Sequence, residues 1–174
     1  MHRAFHAGAV LVVLAAISAE RSWAQAADSA GTPPPVKTAE VELPGFGDYA
    51  DSAAVRQRYG TPRRRDIWFR QDGDSAQRWH YRTRAVYLDV GGSAIAIEYT
   101  RPGPRTIRGL QVGDWAARVL ALYGRPAYLN FDEPTPAEAG DGQWRYPART
   151  GVLTITVTDG RVVSILMGSD LTNE

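Results

Sequence analysis

His80 is the side chain whose type best suits proton transfer near neutral pH. Its neighbours decide what it could do. Arg78, His80 and Arg82 alternate with Trp79 and Tyr81, so in a strand the basic groups share one face and the aromatic groups the other. Arg145 sits between Trp144 and Tyr146 in the same way, and Tyr87, Asp89 and Glu98 can join the basic side from neighbouring strands. That chemistry is recognition: Arg78, His80, Arg82, Tyr87 and Arg145 form a candidate docking face for an acidic protein partner. The alternative is a solvated face whose arginines pair with Asp89 and Glu98.

Catalytic chemistry has few candidates. The chain has no cysteine, which excludes a thiol nucleophile and zinc sites of the Cys/His kind. His2 and His6 lie in a leader-like N terminus, so a Ser-His-Asp arrangement could use only His80, and no nucleophile stands beside it. Asp72-Gly73-Asp74 lacks the further oxygen ligands of a calcium loop and reads as a turn. Asp132, Glu133, Glu138 and Asp141 sit in a Pro- and Gly-containing stretch from Phe131 to Gly142. Nothing fixes a spacing there for acid–base work, so it reads as a contact loop. Arg63-Arg64-Arg65 could meet lipid phosphate, but it reads first as a solvated loop. We therefore expect no catalytic residue, no metal and no cofactor.

The chain has 174 residues, 44% of them hydrophobic, and a formal charge of +1, enough for a packed core without an electrostatic case for nucleic acid. Residues 1–26 read as a signal peptide. Arg3 precedes the apolar run Ala9 to Ile17, and Ala24-Gln25-Ala26 fits a cleavage site. The run is too short to span a bilayer comfortably, where about 20 apolar residues are wanted, and an uncleaved anchor is the alternative. Its removal leaves 18 basic and 18 acidic side chains. The expected product is soluble and exported, periplasmic or secreted, with no stable membrane insertion. Residues 27–44, with Pro33-Pro34-Pro35, read as a flexible tether.

Two units should follow, 45–103 and 104–174, divided near Arg101-Pro102-Gly103-Pro104-Arg105. Tyr59-Gly60-Thr61-Pro62 recurs 64 residues later as Tyr123-Gly124-Arg125-Pro126, and Trp79-His80-Tyr81 recurs 65 later as Trp144-Arg145-Tyr146. Each unit opens with a helix, about Asp48 to Tyr59 and from Asp114 onward, ended by Gly60 or Gly124. Trp115, Val119 and Leu122 share one face of the second. Strands are predicted at 66–71, 77–83, 85–90 and 94–100, then at 127–132, 142–147, 150–158 and 161–167, with Asp159-Gly160 as a type I′ turn. The predicted fold class is α+β, a tandem repeat of a helix packed on a four-stranded antiparallel sheet.

Gly113-Asp114-Trp115, Leu122-Tyr123-Gly124-Arg125-Pro126, Trp144-Arg145-Tyr146 and the pair closing on Asp159-Gly160 resemble the small domain of the SmpA/OmlA outer-membrane assembly lipoproteins. Two such units also resemble the beta-lactamase inhibitor protein-like fold. The likeness covers about Gly45 to Met167, more closely in the second unit. It implies a non-enzymatic habit of binding proteins in the envelope or outside the cell. The lipoprotein cysteine and the inhibitor's bracing cysteines are absent. The expectation is an exported protein-binding module of the bacterial envelope or extracellular space. The alternative is a carrier or sensor of a small apolar ligand, held between helix and sheet.

Overall fold

The computed structural model describes residues 33–43, 50–69, 75–129, 133–134, 140–169 and 171. The expected signal peptide, Asp72-Gly73-Asp74 and most of the acidic loop lie outside them. Three short helices are α1 (Thr38–Val41), α2 (Ser52–Tyr59) and α3 (Ala116–Tyr123). The strands are β1 (Arg64–Phe69), β2 (Ser75–His80), β3 (Arg84–Leu88), β4 (Ala94–Tyr99), β5 (Tyr128–Leu129), β6 (Glu133–Pro134), β7 (Gly142–Ala148), β8 (Gly151–Thr158) and β9 (Arg161–Gly168).

These strands form one antiparallel sheet in the order β1-β2-β3-β4-β9-β8-β7-β5-β6. The expected pair of four-stranded sheets, each under its own helix, is therefore corrected to one continuous, mostly β structure. The joint is β4 against β9, with Ala96 opposite Gly168, Ile97 opposite Met167, Glu98 opposite Leu166 and Tyr99 opposite Ile165. The physical reason lies at the edges. Two separate sheets would expose the outer donors and acceptors of β4 and β9, and pairing them satisfies both rows at once. Gly168 makes the joint possible: at φ 134°, a Cβ there would stand 2.3 Å from the Ile95 carbonyl oxygen.

Alternation sends Trp79, Val86, Ile97, Ile165, Leu153 and Trp144 to one face, where they form the main core. The helices alone cannot cover that face. Among its residues α2 buries only Val55, and α3 buries Val119 and Tyr123. The remaining cover comes from Leu110 and Val112 and from the segment around α1, whose Val36 and Val41 enter the same core. Residues 33–43, expected as tether, are thus packed chain. Arg108 holds them: its guanidinium donates to both Glu40 carboxylate oxygens at 2.6 and 2.7 Å and to the Pro34 and Pro35 carbonyls at 2.9 Å. A further bond reaches the Leu122 carbonyl at 2.8 Å, tying the segment to the end of α3.

Asp159 and Gly160 both take positive φ, as a type I′ turn requires. Asp141, expected in a contact loop, instead accepts the backbone N–H groups of Asp159 and Gly160 at 2.6 and 3.1 Å. Trp115, expected on the buried face of its helix, is 57% exposed. It is the extended residue before α3 and so falls outside the helical period. Asp114 accepts from the Gln111 N–H at 3.0 Å and pairs with Arg118 at 3.2 Å rather than capping the helix.

Candidate recognition surface

Cross-strand partners share a face. The register therefore carries one row across the sheet, opposite the main core, from His80 through Ala85, Glu98, Leu166 and Thr154 to Arg145. The adjacent row holds Asp66, Arg78, Tyr87 and Ala96. This is the face expected to be open and basic.

It is closed by its own carboxylates. Glu98 accepts from Arg78 Nη2 at 2.6 Å and from the Tyr87 hydroxyl at 2.9 Å. The Arg78 guanidinium also lies over the Tyr87 ring, 5.3 Å from its centre. Burial first, and the Glu98 charge second, push the Tyr87 hydroxyl well above its ordinary range, so it stays a donor. Asp66 receives Arg64 Nη2 and stands 2.7 Å from His80 Nε2. The hydrogen bond from Arg64 above all, with His80 assisting against some desolvation, holds the Asp66 carboxyl below its usual value. Leu171 packs on Ala85, Tyr87 and Ala96, covering the centre of the face.

The five predicted contact residues are not brought together. Arg78 and Tyr87 meet on Glu98, with Tyr87 5% exposed, while His80 meets Asp66. Arg145 is 9% exposed, and β7 lies five strand spacings from β2, about 24 Å away. Arg82 is exposed in the turn after β2, beyond the strand whose alternation was to orient it. Asp89 turns its carboxylate to the Ser93 N–H at 2.8 Å instead of meeting an arginine. Among the described residues, no group of three or more His, Cys, Asp or Glu side chains could hold a metal.

A cluster of accessible cations lies at the other margin, where α2 ends and β1 begins. Arg56, Arg63, Arg65 and Arg82 are exposed. None has a carboxylate partner among the described residues. Arg56 and Arg65 lay their guanidinium groups over the Trp79 ring, 5.0 and 4.6 Å from its centre. Arg84 covers Tyr59 at 4.5 Å. The long stems shield aromatic rings while the charged heads meet water. Beside them a shallow depression of about 430 Å³ is lined by Arg65, Ile67, Ala76, Gln77, Asp89 and Val90, among others. The sequence carries a signal for this margin that whole-chain charge conceals: residues 56–84 contain nine arginines against three aspartates.

Fold and surface together define, among the described residues, a single-sheet β protein with a basic margin at α2 and β1. The chain matches no family model and no curated protein. Its fold is similar to that of an extracellular protein containing an SCP domain from Bacillus anthracis. The TM-score is 0.54 at 11% identity, covering 81% of this chain and 49% of that one. It is also similar to a cysteine-rich secretory protein from Staphylococcus aureus, with TM-score 0.51, 12% identity, and 79% and 51% of the two chains covered. At such identity the likeness is one of fold alone, and the chain spans about half the length of each of these proteins. No helix among the described residues is long and apolar enough to cross a membrane.

Proposed function

We propose that this chain is an exported, non-enzymatic module that binds a protein partner through the basic margin at α2 and β1. The observation that carries the reading is the set of exposed arginines, Arg56, Arg63, Arg65 and Arg82, without carboxylate partners among the described residues, beside a sheet face that neutralises its own charges. Such cations steer an acidic partner and fix its register. Export is supported by the leader-like N terminus and by the extracellular and secretory descriptions of the two similar solved structures. The resemblance to the envelope lipoproteins belongs to the same reading.

The test is cross-linked capture from native envelope and culture fluid by the exported protein. Arg63→Glu/Arg65→Glu is compared with wild type, circular dichroism certifying the fold of each. Arg78→Glu is a poor control, because it would set a second carboxylate against Glu98. One dominant partner, lost in the double variant and weakened by added salt, is the expected result. Equal capture by both proteins would remove the basic margin from the function.

A further inference from the structure

The two edges of the sheet are built differently. β6 closes one edge with two residues, the second of them Pro134, which has no N–H to offer a neighbouring strand. β1 closes the other with six residues, Arg64–Phe69, all paired in register with β2 and without a bulge. The outer side of β1 meets no strand among the described residues. Proteins blunt such edges with prolines, bulges, brevity or charge. Only charge is present, and only at the start, in Arg64, Arg65 and Asp66. The second half is Ile67-Trp68-Phe69, with Ile67 66% exposed.

We propose that the free edge of β1 receives an extended segment of a partner protein as a tenth strand, acidic where it meets Arg63 to Arg65 and apolar where it passes Ile67. This deepens the function proposed above and rests on it. In strand addition the backbone supplies affinity, and pockets for alternate side chains supply selectivity. Both parts are present. β1 offers an unpaired backbone row, and the depression beside it, lined by Ile67, Ala76 and Val90 with Arg65 and Asp89 at its margins, can take an apolar side chain of the incoming strand. Charge selects the occupant. A second copy pairing β1 against β1 antiparallel would set each arginine-bearing end beside the other copy's Ile67-Trp68-Phe69 and leave Arg63 and Arg65 unneutralised, Arg64 being already paired with Asp66. An acidic segment neutralises them.

The experiment uses two synthetic peptides: one alternates valine with threonine over its first half and glutamate with valine over its second, so that antiparallel addition sets its glutamates beside Arg63 to Arg65, and the other has lysine for glutamate. Backbone amide exchange and chemical shifts of Arg64–Phe69 are followed during titration of the full exported protein. The acidic peptide should slow exchange in β1 by at least about tenfold, and the lysine peptide should leave it unchanged. Arg63→Glu, which removes no stacking contact, should weaken the acidic peptide by about tenfold. Three results overturn the proposal: no protection of the outward-facing β1 amides, those not bonded to β2, at millimolar acidic peptide, protection of those amides already present without peptide, or protection of them that grows with protein concentration alone. If β1 stays unprotected while cross-linked capture still depends on Arg63 and Arg65, strand addition falls and the binding module stands. If capture fails as well, both fall.

Discussion

Two corners of the molecule are built on the same plan and finished in different materials. In the first, Tyr59 ends α2, Gly60 follows at φ 78°, and Tyr81 stacks on Tyr59 with ring centres 5.6 Å apart. In the second, Tyr123 ends α3, Gly124 follows at φ 74°, and Tyr146 stacks on Tyr123, again at 5.6 Å. In each corner a tyrosine, Tyr81 just past β2 or Tyr146 within β7, donates to the glycine carbonyl, at 3.4 Å for Tyr81 and 2.9 Å for Tyr146. The Tyr-Gly and Trp-x-Tyr patterns in the sequence are therefore a structural device: a strand closing the open end of a helix.

The finish differs. The second corner is covered by uncharged chain and by one internal ion pair. Trp144 is fully buried, with its indole N–H on the Gly140 carbonyl at 2.8 Å, and the Tyr123 hydroxyl donates to Thr106 at 2.7 Å. The first corner is covered by cations, Arg56 and Arg65 over Trp79 and Arg84 over Tyr59. Packing consumes the second corner. The first keeps charged groups in water, where they can meet something else.

The comparison breaks first at the two tryptophans. Trp144→Ala leaves a hole among rigid neighbours and should cost about 4–5 kcal/mol in urea unfolding. Trp79→Ala should cost about 3 kcal/mol or less, because the arginine stems above it can collapse into the space. Equal losses would mean that the guanidinium cover is as fixed as the second corner's walls.

Acid should separate the corners next. Burial works against the Glu40 carboxylate, but the Arg108 hydrogen bond outweighs it with help from the Lys37 N–H, and its pKa falls below the ordinary 4.5. A carboxylate with a lowered folded value stabilises fully above its ordinary pKa, and that stability is lost as pH falls through the folded one. Residues 33–43 should therefore hold at neutral pH and release only as pH falls below the ordinary carboxylate value of 4.5 and through the lowered one, read as faster amide exchange there. Glu40→Gln should show that release already at pH 7. The stacks of Arg56 and Arg65 on Trp79 contain no carboxylate and should persist through the same range. Loss of both together would make the corners one cooperative unit.

Much of this contrast was legible and part of it was not, for reasons of range. Local geometry carried the glycine-ended helices, the Asp159-Gly160 turn and the sorting of Trp79 and Trp144 away from Arg78 and Arg145, because each depends on adjacent residues. β8 at 151–158 and β9 at 161–168 fall within a residue of expectation. Pairing across the chain was legible only in part. The alternative of arginines paired with carboxylates is met at Glu98, which holds Arg78 twenty residues away, and not at Asp89. Nothing near Arg108 announces Glu40, sixty-eight residues away. The union of β4 with β9 is of the same kind, since two meanders with free edges read alike whether they join or stay apart. The nine arginines between 56 and 84 were legible, but a balanced total hid them.

The smallest effect tests the shared plan itself. Tyr146→Phe removes the donor to the Gly124 carbonyl at a corner where Tyr146 is almost wholly buried, so water cannot replace it. An acceptor left unsatisfied in such a place costs about 1–2 kcal/mol. Tyr81→Phe removes a bond already stretched to 3.4 Å at an exposed carbonyl, which water can reach. Its cost should be near zero, within about 0.5 kcal/mol. The ring stacks remain in both variants, so the difference isolates the hydroxyl. A large loss at Tyr81 would show that the first corner is held as tightly as the second, and its arginines would then be fixed structural cover rather than groups available to a partner.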